Sequence, residues 1–410
     1  MAQRVVVLGG GFAGLWSAAS AARARQLFGV AHDELDITLV SSGPYHVIRV
    51  RCYETDLGPV RVPLDDVLAP IGVGRIDAKV VAIDPHGRSV SIEAPDGAER
   101  QLHYDRLVFA LGSALLTPAV TGADVALDVD TYGGAARLER HLAALAAAPA
   151  PTAATRMAVV IGAGLVGIEL ACELPQRLRG TLGGAGPVRV LLLDHGDVGA
   201  GMGAAAQPVI VEALRSLGVE TRSHARVGAI DAGGVTLEGG ERIGAATVVL
   251  ATGMRASPLT QTFDVPCDAL GRLPVDAFLQ VEGARGVYAA GDAAAARADE
   301  AGHPTVMSCQ HARPMGRLAG HNAACDLLGR NEDRVAFAAP DYVTILDLGP
   351  WGALYTSGWN RETIVAQGAD AKTVKRTING SRIYPPRGGD APAILAAASP
   401  VIQGRPAARN

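Results

Sequence analysis

Arg4-Val-Val-Val-Leu-Gly-Gly-Gly-Phe-Ala-Gly14 and Met157-Ala-Val-Val-Ile-Gly-Ala-Gly-Leu-Val-Gly167 are the two stretches that decide the fold. Each is a short apolar run, the pattern of a parallel strand buried on both faces, closed by G-x-G-x-x-G and followed by an Ala- or Leu-rich helical stretch. Such a turn has a specific physics. Its first glycine (Gly9, Gly162) permits the tight bend. The second (Gly11, Gly164) lets a pyrophosphate approach the backbone, and the third (Gly14, Gly167) lets the helix pack on the strand. The helix that follows then presents unpaired N–H groups and a partial positive charge to the phosphates.

One such match is weak in a chain with 50 glycines; two in register with matching surroundings are strong. In the first copy, Leu15–Arg25 reads as the helix and Asp36–Val40 as the second strand. Val80–Asp84 and Ser89–Ile92 form a hairpin around Pro85-His-Gly87, and Leu107-Val-Phe-Ala-Leu-Gly-Ser113 closes the unit. The second copy repeats this with Ile168–Leu178, Val188–Asp194, Val227–Asp231, Gly234–Leu237 and Thr247–Gly253. The predicted fold is α/β, with two Rossmann-like dinucleotide-binding domains, one inserted in the other, and a C-terminal α+β region. The predicted boundaries are 1–120 and 264–330 for the discontinuous domain, 121–263 for the insert and 331–410 for the C-terminal region. Ala143–Ala154, with Pro149 and Pro151, reads as the linker into the insert.

Composition narrows the function. Formal charge of −4 argues against a nucleic-acid partner. Five scattered cysteines without a C-x-x-C pair fit reduced thiols and a cytoplasmic setting. No apolar run reaches the roughly 18–20 residues of a membrane helix, which leaves peripheral contact on the cytoplasmic membrane face open. No metal-ligand set is legible; His303 and His311 read as surface or loop residues.

In the second copy, the second strand ends on Asp194. A carboxylate there accepts hydrogen bonds from both ribose hydroxyls and repels a 2′-phosphate, so NADH is expected over NADPH. Gly180–Gly186 reads as a flexible loop that lengthens the spacing from Gly162 to Asp194. Arg222 and Arg255 are the cations that a 2′-phosphate would have to recruit.

A third segment, Gly286-Val-Tyr-Ala-Ala-Gly-Asp292, resembles the second FAD fingerprint of the two-dinucleotide-binding flavoproteins. Within that superfamily the chain is similar to type II NADH dehydrogenases, the NADH:quinone oxidoreductases. The likeness is carried by Gly43-Pro-Tyr-His-Val-Ile-Arg-Val-Arg-Cys-Tyr53, by Gly164–Leu174 and by Pro304-Thr-Val-Met-Ser-Cys-Gln-His-Ala-Arg-Pro-Met-Gly316. The resemblance implies FAD on Gly9, Gly11, Phe12, Ala13, Gly14, Ser41, His46, Arg49, Val81, Ala110, Leu111, Gly112, Gly291 and Asp292. It implies NADH on Gly162, Gly164, Gly167, Asp194, Thr252 and Gly253, and a quinone as acceptor.

Glu169 resembles the family glutamate near the nicotinamide, with a role in orienting the carboxamide and delivering a proton to the acceptor. Its simpler role is to cap the helix electrostatically. Gln310 matches the first quinone-side glutamine of the family; Pro314 stands where the second belongs, and a helix is expected to start near it. Ser41 replaces the usual ribose-binding carboxylate. Residues 331–410 lack the family's basic amphipathic membrane helices. Asp341–Gly349 and Trp351–Tyr355 read as strands, and Lys372-Thr-Val-Lys-Arg-Thr-Ile-Asn379 as a solvated or membrane-facing basic helix turn. A homodimer is compatible with this architecture. Two other functions fit the same sequence: a soluble reductase of a small redox protein, and a low-turnover flavin redox sensor. Cys309 is the thiol expected nearest the flavin.

Overall fold

The computed structural model describes residues 2–147, 152–183 and 186–406. β1 (Gln3–Leu8) enters α1 (Phe12–Leu27). Then come β2 (Leu35–Ser41), β3 (Gly74–Asp77), β4 (Lys79–Asp84), β5 (Ser89–Glu93), β6 (Glu99–His103) and β7 (Arg106–Phe109). β8 (Ser113–Leu115), β9 (Leu127–Asp128) and α2 (Tyr132–Ala146) lead into the second copy. That copy runs β10 (Met157–Ile161), α3 (Leu165–Leu182), β11 (Arg189–Leu193), α4 (Gln207–Ser216) and β12 (Val219–Arg222). It continues with β13 (Val227–Asp231), β14 (Gly234–Leu237), β15 (Arg242–Gly244), β16 (Thr247–Leu250) and β17 (Met254–Ala256). The chain ends with β18 (Val287–Ala289), α5 (Cys309–Leu327), β19 (Val343–Asp347), β20 (Ala353–Ser357), β21 (Thr363–Gln367), α6 (Gly368–Thr377) and α7 (Ala391–Ala397).

The two copies build the same sheet. The first has the order β18-β7-β1-β2-β3 and the second β9-β16-β10-β11-β12, and every pairing in both is parallel. Val5, Val6, Val7 and Leu8 are fully buried, as are Ala158, Val159 and Val160, which is why these runs carry no polar alternation. Each copy also carries a three-stranded antiparallel meander, β4-β5-β6 and β13-β14-β15. Both meanders bulge near the start, so that Val81 in one and Gly228 in the other have no ladder partner.

α5 lies along α1 at the closest possible range. A Cβ on Gly316 would stand 2.2 Å from the Ala13 carbonyl oxygen, and one on Gly320 would stand 1.9 Å from that of Ser17. Only glycine permits this helix contact. β19, β20 and β21 form an antiparallel sheet against which α6 packs, and α7 rests on α1.

Several expectations change. The α5 helix begins at Cys309, so Pro314 lies inside it rather than at its start. The Ser308 carbonyl accepts from the His311 and Ala312 amides at 3.1 and 2.9 Å, and a proline in the second turn costs only the bond to the Gln310 carbonyl. α3 runs through Gly180-Thr-Leu182, so the loop expected at 180–186 is helical in its first part, and residues 184–185 lie outside the described residues. α2 continues through Ala146, and Pro149 and Pro151 of the expected linker also lie outside the described residues. Trp351 belongs to a 3-10 turn and the strand starts at Ala353. His311 is not a surface residue; it sits buried in α5. Among the described residues no helix is long and apolar enough to cross a membrane, and no His/Cys/Asp/Glu group could hold a metal ion.

Candidate functional site

The two glycine turns superimpose in their chemistry. Gly9 and Gly162 both sit at φ +105°, and their amides donate to Val40 and Leu193 at 2.8 Å in each case. A Cβ at Gly9 would meet the Ala110 oxygen at 2.3 Å, and one at Gly162 the Ala251 oxygen at 2.4 Å. A Cβ at Gly14 would meet the Gly9 oxygen at 1.7 Å, and one at Gly167 the Gly162 oxygen at 1.9 Å. Gly11 and Gly164 face open space instead. They are the N-caps of α1 and α3, neither helix has a side-chain cap, and neither has an acidic residue in its first turn. Phe12 and Ala13 form the first turn of α1. Free amides over an open cradle fit a diphosphate at both turns.

What braces each turn differs. Asp194 Oδ2 accepts from the Ala163 amide at 2.7 Å, and Oδ1 accepts from the Gly196 amide at 2.7 Å. Ser41 reaches only toward Gly10. A carboxylate stands beside Ser41 all the same, because Asp77 is its register partner on β3 and accepts from the Gly43 amide at 2.8 Å. His46 braces the first turn from the other side. Its Nδ1 lies 2.9 Å from the Gly10 oxygen, and its ring meets Phe12 edge-on at 4.9 Å. The Gly10 carbonyl accepts, so Nδ1 carries the proton and Nε2 is left buried without a partner. Burial lowers its pKa to about 4 and keeps the ring neutral.

The Gly-Asp segment closes on the first turn. Gly291 is at φ +75°, and a Cβ there would press Ala13 at 2.8 Å. Asp292 accepts from the Ser113 hydroxyl at 2.7 Å and lies 3.6 Å from Arg49. Burial raises the Asp292 pKa, while Ser113 and Arg49 oppose that rise. Arg49 also donates to the Asp130 carbonyl at 3.0 Å and pairs with the Asp130 carboxylate. Ala110-Leu111-Gly112 after β7 and Ala251-Thr252-Gly253 after β16 are equivalent. Ala110 donates to Leu8 at 3.0 Å and Ala251 to Ile161 at 2.8 Å, and Gly112 and Gly253 have positive φ. The Thr252 hydroxyl donates to Leu116 at 2.6 Å.

Glu169 is in the second turn of α3 and 5 % exposed, so it is no N-terminal cap. Its Oε1 accepts from Lys375 Nζ at 2.7 Å and from the Asp347 amide at 3.0 Å. Lys375 is 8 % exposed and also donates to the Ile345 carbonyl at 3.0 Å. Lys372 pairs with Asp347, and Tyr53 donates to the same carboxylate at 3.2 Å. Burial pushes the Glu169 pKa up, and the Lys375 charge opposes it. The basic stretch at 372–379 is therefore not wholly an outer face: Thr373, Arg376 and Thr377 are exposed, while Lys372 and Lys375 turn inward onto carboxylates. Their signal was present in the sequence: Ala371, Val374, Lys375 and Ile378 follow helical spacing and make one inward face.

Gln310 is the second residue of α5 and donates to the Asp341 carbonyl at 3.3 Å. Cys309 precedes it, half-buried, and burial raises its pKa. All five cysteines are free thiols.

The description "Pyridine nucleotide-disulphide oxidoreductase" matches residues 3–316 of this chain. An NADH dehydrogenase-like protein of Mycobacterium tuberculosis is 52 % identical over 407 residues, covering 98 % of this chain and 100 % of the relative. A demethylphylloquinone reductase of Synechocystis is 31 % identical over 337 residues, covering 80 % of each chain. The structure of NDH2 from Plasmodium falciparum in complex with NADH has a TM-score of 0.77 at 11 % identity, over 97 % of this chain and 98 % of that one, a likeness of fold. The chain is a member of the pyridine nucleotide-disulphide oxidoreductase family, and within it an NADH dehydrogenase-like NAD(P)H oxidoreductase that uses FAD.

Proposed function

We propose that the protein oxidises NADH through FAD held at the first glycine turn and delivers the electrons to a quinone. The observation that carries this reading is the convergence of the first turn, the Gly291-Asp292 segment and Arg49 on one cradle, with a second cradle of the same build on α3. The amides at Gly11, Phe12 and Ala13 bind the FAD diphosphate. The unpaired backbone of Val81, with Ser41, serves the adenosine half. Asp292, Arg49, His46, Ala110, Leu111 and Gly112 serve the other half. Gly162, Gly164, Gly167, Thr252 and Gly253 hold NADH, and Asp194 takes its ribose. FAD supplies the hydride acceptance and the electron transfer; the chain orients both nucleotides and excludes water. The segments 1–120 and 264–330 then form the FAD domain, 121–263 the NADH domain, and 331–410 the acceptor side.

NADH is favoured over NADPH by more than Asp194. Arg222 is paired with Glu241 at 2.7 Å, and Arg255 donates to the Ala269 carbonyl at 2.8 Å, so both cations that a 2′-phosphate would recruit are engaged elsewhere.

Quinone reduction takes up protons, and the Glu169–Lys375 pair is built to hold one. Burial raises the pKa of the Glu169 carboxyl, which favours its holding a proton, and Lys375 at Oε1 balances its charge when it is ionised. The name of the Synechocystis relative, a demethylphylloquinone reductase, supports a quinone acceptor. Peripheral membrane contact and a homodimer are compatible with this reading.

Anaerobic titration of the purified protein with NADH and with NADPH tests the donor. Re-oxidation by a menaquinone analogue, a ferredoxin and oxygen in parallel tests the acceptor. The expected result is faster reduction by NADH and fastest re-oxidation by the quinone; faster re-oxidation by ferredoxin would overturn the acceptor assignment.

A further inference from the structure

Five arginines are buried among the described residues: Arg25, Arg177, Arg272, Arg313 and Arg317. Three have acceptors. Arg25 donates to the carbonyls of Leu35, Ile71 and Gly72; Arg177 pairs with Glu139; Arg272 pairs with Asp268 and donates to Thr305. Arg313 and Arg317 differ. They stand one turn apart on α5, 7 % and 2 % exposed, with their guanidinium carbons 5.4 and 4.5 Å from the centroid of the Trp16 ring. The Nε of each is buried without a hydrogen-bond partner, and so is Trp16 Nε1. The ionisable groups that act on Arg313 are Cys309 and Arg382, and the one that acts on Arg317 is Arg313. None of these is a carboxylate. Burial lowers the pKa of both to about 10.

Two adjacent like charges, taken out of water and left without an anion, oppose folding. The face of one indole offsets only part of that. The unused capacity is three buried N–H donors on two packed helices, two of them on planar forks that match a carboxylate or a phosphate. The position is specific as well. Gly316, between the two arginines, presses on Ala13, and Trp16 is one turn along α1 from Phe12.

We propose that Arg313, Arg317 and Trp16 Nε1 form an oxyanion-binding site that takes a phosphate or carboxylate group. That group comes either from the diphosphate of the nucleotide held at the first turn or from a separate anion, free or carried by the electron acceptor. Only the first source rests on the FAD reading, and neither depends on the acceptor being a quinone.

The test uses the full-length, flavin-loaded protein, with R313Q, R317Q, R317K and W16F. Two quantities are read: the melting temperature as inorganic phosphate replaces chloride at constant ionic strength, and the Kd for FAD from released-flavin fluorescence. A phosphate-specific rise in melting temperature that weakens in the glutamine variants by about 10-fold or more in apparent affinity supports a separate anion. No phosphate response, with an FAD Kd raised about 10- to 100-fold by R313Q or R317Q and less by R317K, supports the nucleotide diphosphate. Should a glutamine variant not fold, R317K and W16F keep charge and ring respectively and carry the same readouts. Phosphate indistinguishable from chloride, together with an unchanged FAD Kd in the folded variants, overturns the site. A failure of quinone turnover leaves it standing.

Discussion

The first glycine turn opens a helix buried from its first residue, and the second opens one whose first turn is exposed at Val166. In α1 the residues from Phe12 to Ala22 are all buried, beneath the sheet, α5 and α7. In α3 Val166 is exposed on the first turn and Gln176 and Arg179 toward the end, while Gly167 to Cys172 are all buried. Both turns have the same backbone and the same open second glycine. The difference lies in what surrounds them. A covered helix suits a nucleotide that stays; an open one suits a nucleotide that exchanges. The braces differ too: an imidazole at the Gly10 carbonyl for the first, a carboxylate at the Ala163 amide for the second.

The largest effect separates the two turns outright. G14A places a methyl group 1.7 Å from the Gly9 oxygen, and G167A places one 1.9 Å from that of Gly162. G14A is expected to abolish flavin retention, and G167A to give a yellow protein that NADH no longer reduces. Absorbance of bound flavin and anaerobic NADH titration check both, and equal flavin loss in the two variants would erase the distinction between the turns.

Next is the pair that ties the second turn's helix to the C-terminal region. K375M leaves the Glu169 carboxylate buried and unpaired, and is expected to lower stability by about 3–5 kcal/mol. E169Q combined with K375M should recover much of that. Urea unfolding of the four members of the cycle measures the coupling; additive single and double effects would show that the pair does not act as one unit.

The brace on the first turn is sensitive to acid. The folded pKa of His46, about 4, lies below the 6.5 of the unfolded chain, so between these values the unfolded state binds more protons. Stability is present above about pH 6.5 and is lost as the pH falls toward 4, by about 3 kcal/mol for this residue. His311, lowered by burial to about 4, adds to the same window. Stability measured from pH 7 to 4 should fall less steeply in H46Q, and a slope identical to wild type would remove His46 from the account.

The smallest effect exchanges the braces. D194S gives the second turn the side chain of the first. It is expected to raise the KM for NADH about 10-fold and to narrow the preference over NADPH, as the loss of one or two charge-assisted hydrogen bonds predicts. S41D makes the reverse change and should leave the FAD Kd within a few-fold, because Asp77 already stands beside that position.

The glycine turns, the second strands, both meanders and the Gly-Asp strand were legible because each is local: a run of apolar residues, a bend, a repeat. Lys375 was not. Its partner is 206 residues away, and a lysine followed by Arg376 reads as solvent-facing until Val374 and Ala371 are seen to share its side. Nothing in the spacing of Arg313 and Arg317 marks them as buried, since helical arginines are usually exposed. Pro314 looked like a helix start because proline favours the first turn, yet it is tolerated six residues in, where only one hydrogen bond is lost. The His46 brace escaped because a contact to a carbonyl oxygen leaves no pattern in side-chain spacing.

β8 follows the closing strand of the first copy, β7, and β17 follows that of the second, β16. They pair antiparallel, Ser113 with Ala256 and Leu115 with Met254. The ladder is extended at both ends, by Leu116 donating to Gly253 at 2.9 Å and Ser257 donating to Gly112 at 3.0 Å. The two copies are thus joined by a backbone ladder as well as by the chain itself. Twisting one against the other would shear that ladder, whereas bending along it would load both strands alike. Such a bend would part the rims of the two cradles and bring them together again without sliding them out of alignment.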